Sequence, residues 1–394
     1  MLFKYPEKVV KIAEILAKNG YRSYAVGGCI RDAVMGRIPN DWDMTTSCSP
    51  EKMLDIFENE GVKTIPTGLK HGTVSILIDG EIYECTTFRI DGSYTDSRHP
   101  DKVTFTDQLS DDLRRRDFTV NAMAGDPLSE SMEIVDIFGG RDDIENKIIR
   151  AVGDPELRFT EDALRILRAV RFATVLNFEI ENKTKSAAKR LSCRLNDISA
   201  ERKSSELQKI LLSPHADRGI LLLLETDTAK FIHPDLSLPK VPLKDLPFRF
   251  STRLAALFNG IPNLSQMKLS NETVKQVKTL CDDSFFSETA SKFSSDGAKA
   301  RYMISKYREL AEDAALLRRD VSLADKISEE RKKQPPVSLS DLALNGNDLL
   351  SVGIEARRLG ETMSFLLLSV IEYPELNEKD KLIKLAIEND KKEK

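Results

Sequence analysis

Residues 24–47 read YAVGGCIRDAVMGRIPNDWDMTTS, and the fold turns on how this stretch is parsed. Its opening is β-prone, Gly27 and Gly28 allow a tight turn, and CIRDAVMG has helical character, so the segment reads as strand, turn, helix. Glycines at such a turn let the backbone approach a ligand, and a new helix offers free N–H groups to an anion. Arg31, one turn in, reaches the same anion with a two-pronged guanidinium. A plain strand-to-helix turn with a surface Arg-Asp pair fits the same letters. Farther on, Asp41 and Asp43 flank Trp42. On a strand both aspartates share one face while Trp42 points to the other, into the core. Two converging carboxylates repel unless a divalent cation lies between them. An acidic loop after Pro39-Asn40 is the simpler alternative.

Outward from this stretch the chain has two textures. From about Ser23 to Phe138, β-rich runs such as SYAV, GTVSILI, EIYECTTF and KVTFT alternate with helical ones. One helix is clearly marked, with Ser49 as cap, Pro50 in its first turn and Gly61 at its end. PEKVVKIAEILAKNG before the quoted stretch reads as an amphipathic helix closed by Gly20. From about Ile144 strand signals nearly vanish, and segments such as EDALRILRAVRFATVL, AERKSSELQKILL and ETMSFLLLSVIEY carry helical periodicity. HPDLSLPKVPLKDLP and QPPVSLSD read as joints between helical subdomains, and the terminal NDKKEK as a frayed tail. The expected class is an α+β head followed by an all-α remainder.

Composition narrows the function. The 394 residues are 41% hydrophobic and 31% charged, ordinary values for a globular protein. The start lacks the apolar core of a signal peptide, and no uncharged apolar run is long enough for a membrane span. Five scattered cysteines without a CxxC pair fit a reducing cytoplasm better than a disulfide frame or a zinc site. With a net charge of −4, a polyanionic partner must be held by a local basic face.

Two further clusters supply candidates. In EIYECTTFR, Glu84 lies mid-strand between apolar residues, a costly place for an unpaired charge, so with Asp41 and Asp43 nearby we read it as a neighbour of their metal, an edge-strand glutamate being the simpler alternative. Glu81 or Asp79 is then solvent-facing. LRRRDFTVNAMA sets Arg114, Arg115 and Arg116 before Asp117 and Asn121. The arginines suit a triphosphate clamp, and Asp117 and Asn121 a ribose hydroxyl; a solvated basic turn is the bland alternative.

DPELRFTEDALRILRAVRFA, treated as one helix with Asp162 at the origin, places Ile166, Val170, Ala163 and Leu167 on an apolar arc of about 100°. Arg165, Arg168 and Arg171 form a basic stripe on the other side, with Asp162 beside Arg165 and Phe172 among the polar residues. An i, i+3 surface ion pair accounts for this equally well. A carboxylate next to a guanidinium also presents an acceptor beside a donor. Cytosine and adenine carry an amino donor beside a ring-nitrogen acceptor, whereas guanine and uracil show the reverse order. One Asp-Arg pair is therefore enough to take C and A and refuse G and U.

Together GGxxRD, DWD, TGLKHGT, ECTTFR, RRRDFTVNAMA, EDALRILRAVRF and ISAERKSSEL, in this order, resemble the motifs of the class II tRNA nucleotidyltransferases. These are the CCA-adding enzymes of the polymerase β nucleotidyltransferase superfamily. The resemblance is dense from about Tyr5 to Pro214 and thin beyond. It implies a polymerase β-like head with a mixed sheet at residues 1–143 and a helical neck that selects the nucleotide at 144–214. A helical body at 215–275 and a tRNA-binding tail at 276–394 would follow. Asp41 and Asp43 then bind Mg²⁺, two ions in the active complex, with Glu84 as the third catalytic carboxylate. The resemblance implies that Gly28, Arg31, Arg116, Asp162, Arg165, Arg168 and Arg171 bind the nucleotide, with Asp162 and Arg165 as the protein template for C and A; the residue reading adds Gly27, Arg115, Asp117 and Asn121 to that set. Glu201, Arg202 and Glu206 brace the template helix. The implied reaction adds CCA to the tRNA 3′ end from CTP and ATP and releases pyrophosphate. The RNA would be read by shape through residues such as Lys183, Lys189, Arg190 and Arg194. A cytoplasmic monomer or homodimer is expected.

The same resemblance leaves open enzymes that add only CC or only A, poly(A) polymerases, and a non-catalytic RNA-binding relative. RIDGSYTDSRHPDKVTF looks like a full-length flexible loop, against CC-only addition. The chain ends in mixed charge, against the basic extension of poly(A) polymerases. Both aspartates are present, against a non-catalytic relative. None of the four histidines (71, 99, 215, 233) precedes an aspartate, which excludes a metal phosphohydrolase domain of the His-Asp type; His71 reads as structural.

Overall fold

A computed structural model describes residues 4–92, 103–129, 133–293 and 295–392. The chain divides into two compact units, residues 1–234 and 235–394. In the first unit the strands are β1 (Ser23–Val26), β2 (Met44–Thr46), β3 (Lys63–Gly68), β4 (Thr73–Ile78), β5 (Glu81–Thr87), β6 (Arg89–Asp91), β7 (Val103–Phe105), β8 (Ala124–Gly125), β9 (Ile134–Val135), β10 (Ile148–Ile149) and β11 (Glu179–Ile180). Its helices are α1 (Glu7–Lys18), α2 (Gly28–Val34), α3 (Pro50–Asn59), α4 (Leu109–Arg114), α5 (Gly140–Glu145), α6 (Pro155–Glu161), α7 (Leu164–Leu176), α8 (Asn182–Arg190), α9 (Ala200–Leu211), α10 (Ala216–Glu225) and α11 (Ala229–Ile232).

Seven strands form one mixed sheet in the order β3-β4-β5-β2-β1-β8-β9. The β2–β5 pair is parallel, and β1 runs antiparallel to both β2 and β8. One sheet face is covered by Val9, Ile12 and Leu16 of α1 and by Met53 and Phe57 of α3. They pack on Val74, Ile76, Tyr83 and Cys85 of the sheet. The local signals explain the helices: Ser49 accepts the Lys52 N–H at the start of α3, where Pro50 occupies the first turn.

Beyond the sheet the unit becomes helical, apart from the short parallel pair β10–β11. Ile166, Leu167 and Val170 of α7 are fully buried, as their spacing predicts. Among the described residues the second unit contains only helices and turns, around a core including Leu349, Leu366, Val370 and Leu382. No helix of the described residues is long and apolar enough to cross a membrane. Of the segment read as a flexible loop, residues 93–102 lie outside the described residues, while Arg89–Asp91 pairs with Val103–Phe105.

Candidate active site

The opening stretch folds as its letters predict. β1 ends at Val26, Gly27 takes φ +81°, and α2 begins at Gly28. A Cβ on Gly27 would stand 3.1 Å from Arg116 Nη1 in a backbone conformation that side chains rarely adopt, so the position demands glycine. Val26 N–H donates to Asp43 O at 2.9 Å and Gly27 N–H to Met123 O at 3.3 Å. The turn is thereby fixed between the DWD segment and the RRRDFTVNAMA segment.

Asp41 and Asp43 precede β2 instead of lying within it, yet the alternation survives. Both are exposed, and Trp42 is half-buried against Tyr5, with ring centroids 5.6 Å apart. Register brings in Glu84. Met44 sits beside Cys85 in the parallel β2–β5 pair, and both are buried. Asp43, just before β2, and Glu84 of β5 are each one residue earlier and therefore project together to the opposite face. That face is open: Ile82 is 60% exposed and Glu84 is exposed too. The expectation of a glutamate held among apolar neighbours is corrected here, because one side of β5 faces solvent. Glu81 is exposed as well, and it pairs with Lys8 at 3.1 Å.

Two cavities meet at Asp43. One, with an empty volume of about 860 Å³, is lined by Gly27, Gly28, Arg31, Asp43, Arg115, Arg116, Asp117, Asn121, Asp162, Leu164, Arg165, Arg168, Phe172 and Arg202. The other is lined by Asn40, Asp41, Trp42, Asp43, Glu81, Ile82, Tyr83 and Glu84. Six arginines and three aspartates on the first wall suit a polyanion. Arg116 Nε is buried there without a hydrogen-bond partner, a donor that an anion would satisfy. On the acidic side, although Asp43 as a residue is exposed, the protein packed around its carboxyl desolvates it and pushes its pKa above the usual carboxylate range, with Glu84 and Asp41 adding to this and Arg116 opposing. Three neighbouring carboxylates that repel, all offering hard oxygens, fit a divalent cation. Among the described residues no three such donors are gathered into a closed cage, so any ion held here needs further ligands.

The arginine cluster is organised by a residue that sequence reasoning passed over. Asp112 is fully buried and accepts from Arg115 Nη2 at 2.7 Å and Arg116 Nη2 at 3.1 Å. Burial alone would raise its pKa; the two guanidiniums outweigh that and lower it. The i, i+3 and i, i+4 spacing within DLRRR, residues 112–116, is the signal that points to it. Asp117 is also buried. Its Oδ1 accepts Asn121 Nδ2 at 3.3 Å, and its Oδ2 accepts Arg168 Nε at 2.7 Å. Against the penalty of burial, the Arg168 charge holds its pKa down at about 2. Asn121 Oδ1 in turn accepts Arg31 Nη1 at 2.8 Å. Asp117 and Asn121 were expected to bind a ribose; both line the cavity, but their first partners are arginines and each other.

The continuous helix expected through Asp162 is interrupted. α6 ends at Glu161, Asp162 is extended (φ −139°, ψ 104°), and α7 starts at Leu164. Aspartate favours this break because its side chain caps the next helix: Oδ1 accepts the Leu164 N–H at 3.0 Å. Asp162 consequently does not pair with Arg165. Its Oδ2 accepts Arg202 Nη2 at 3.0 Å, whereas Arg165 donates to Glu161 Oε2 at 2.6 Å and to Arg115 O at 2.9 Å. The two residues still share one cavity wall. Arg202 joins that wall, which its reading as a brace did not anticipate. Arg171 does not line the cavity; it donates to Glu206 Oε2 at 2.5 Å. Of the body charges, Lys189 faces Asp227 at 3.6 Å, Arg190 pairs with Glu156, and Arg194 faces Asp197 at 3.6 Å.

Residues 23–150 match the family described as the poly A polymerase head domain. Residues 177–238 match one described as a probable RNA and SrmB-binding site of polymerase A. The CCA-adding enzyme of Leuconostoc citreum (strain KM20) is 34% identical over 395 residues, covering 96% of this chain and 94% of its own length. The chain belongs to the CCA-adding enzymes. The CCA-adding enzyme of Lactobacillus helveticus (strain DPC 4571) is 44% identical over 248 residues, 63% of this chain and 60% of that one. A crystal structure of the Bacillus stearothermophilus CCA-adding enzyme in complex with CTP aligns with a TM-score of 0.80 at 31% identity, covering 98% of each chain. CCA-adding enzymes are nucleotidyltransferases, which generally work with a divalent metal. Asp41, Asp43 and Glu84 offer hard oxygen donors of the kind such an ion takes.

Proposed function

We propose that the chain adds C, C and A in turn to the 3′ end of tRNA from CTP and ATP, without a nucleic-acid template, and releases pyrophosphate. The observation that carries this reading is the place of Asp43 on both cavity walls. A triphosphate in the arginine-lined cavity and a 3′-hydroxyl in the carboxylate-lined one would meet at that residue.

In this reading Asp41 and Asp43 hold two Mg²⁺ ions. When bound, they supply a lowered hydroxyl pKa and charge neutralisation on the leaving pyrophosphate. Arg31 and Arg116 neutralise the phosphates, with Arg116 held by Asp112 and Arg31 by Asn121. Asp162 offers an acceptor and Arg165 a donor to the base edge, the pattern complementary to C and A. The residue ranges 1–143, 144–214, 215–275 and 276–394 serve as head, neck, body and tail, the tail meeting the tRNA, in a cytoplasmic enzyme.

The test supplies tRNAs lacking three, two or one of the terminal nucleotides, each with CTP, ATP or both. Stepwise completion of all three tRNAs is expected. Addition of A alone, only to the tRNA already ending in CC, would replace this reading with an A-adding enzyme.

A further inference from the structure

Phe172 stands on the polar side of α7, where the sequence pattern gives no reason for an aromatic ring. The ring is only 7% exposed and lines the arginine-rich cavity. Three guanidinium groups approach it: Arg171 Cζ lies 3.8 Å from its centroid, Arg168 Cζ 5.3 Å and Arg31 Cζ 5.5 Å. Phe118 packs edge-on against it at 5.8 Å and fixes its tilt. Arg31 comes from α2 beside the glycine turn and Arg168 from the middle of α7, so one ring touches cations from both sides of the pocket.

We propose that Phe172 is a positioning residue for the incoming nucleotide, holding Arg31 and Arg168 in place through its ring. The inference rests on the cavity being the nucleotide pocket. Cations crowded together repel, and each of these has a carboxylate of its own: Asp32 for Arg31, Asp117 for Arg168 and Glu206 for Arg171. A further carboxylate in the ring's place would draw the N–H groups away from a phosphate. An aromatic face attracts a guanidinium electrostatically while accepting no conventional hydrogen bond. The N–H donors not already committed stay available to the ligand, and the arginines stay fixed. An aliphatic side chain fills the same space without that attraction.

The experiment compares Phe172→Leu and Phe172→Tyr with the parent in the full-length chain. KM and kcat are measured separately for CTP and ATP, and thermal unfolding is recorded alongside. Loss of the ring is expected to raise both KM values about tenfold, with kcat changed less. Phe172→Tyr, which keeps the ring, should stay within about twofold of the parent. Parental KM values in Phe172→Leu, or equal impairment in Phe172→Tyr, would overturn the proposal. If Phe172→Leu unfolds below the assay temperature, Phe172→Met gives the same comparison. Arg165→Ala is the control for the pocket: unchanged KM there removes the pocket assignment, whereas an effect there with none at Phe172 removes this inference alone.

Discussion

Asp162 and Arg165 share one wall of the arginine-lined cavity but are tied to different partners, Asp162 to Arg202 at 3.0 Å and Arg165 to Glu161 at 2.6 Å. Each group is held in place by a neighbour, so acceptor and donor do not neutralise one another before a base arrives. Asp162→Ala is expected to lower kcat/KM for CTP and ATP by about tenfold to a hundredfold, the worth of a hydrogen bond to a charged group. GTP and UTP should lose less, so selectivity falls. Arg202→Ala should weaken selectivity in the same direction and by a smaller amount. Single-nucleotide incorporation with each of the four triphosphates measures both.

Asp112 anchors Arg115 and Arg116 from a fully buried position. Asp112→Ala leaves two cations without their common acceptor, and breaking such a buried pair costs about 3 kcal/mol. Denaturant unfolding should show that loss, and KM for both nucleotides should rise because Arg116 is no longer aimed. Unchanged stability would show that the arginines find other partners.

The depressed pKa of Asp117 predicts an acid limit. Its folded value of about 2 lies below the ordinary 3.8, so the ionised carboxylate contributes stability that is fully present above about pH 4. That contribution, about 2 kcal/mol from the shift, is lost as pH falls toward 2. Asp117→Asn should therefore be less stable than the parent at pH 5 to 7, and the gap should close progressively below about pH 4. Equilibrium unfolding of both proteins across this range checks it; a gap independent of pH contradicts the assignment.

Mutual repulsion of Asp41, Asp43 and Glu84 predicts a response to metal. Mg²⁺ should raise the melting temperature of the parent, because a ligand that binds only the folded state stabilises it. Asp43→Asn should melt higher than the parent in chelator, since one repelling charge is gone, and should gain less from Mg²⁺. A parent whose melting temperature ignores Mg²⁺ contradicts the metal reading.

Much of this site was legible in the sequence because its signals are local. The GG turn demands a backbone that only glycine adopts easily, and the helix after Ser49 announces itself by cap and proline. The features that were not legible depend on tertiary context. Periodicity runs straight through Asp162, and the helix breaks there because the side chain caps Leu164 and meets Arg202, 40 residues on. The open face at Glu84 follows from which side of the sheet α1 and α3 cover. Arg171 shares a stripe with Arg165 and Arg168, but Glu206 on α9 draws it off the cavity wall. Asp112 and Phe172 carried a spacing and a misfit, and only the fold shows what each touches.

We propose that transfer occurs at Asp43, the residue shared by the two cavity walls. Single-turnover incorporation of CTP into a tRNA lacking its CCA end, with tRNA binding measured in parallel, tests it in Asp43→Ala. Incorporation should be abolished while tRNA affinity stays at the parental level. Incorporation at the parental rate would contradict it.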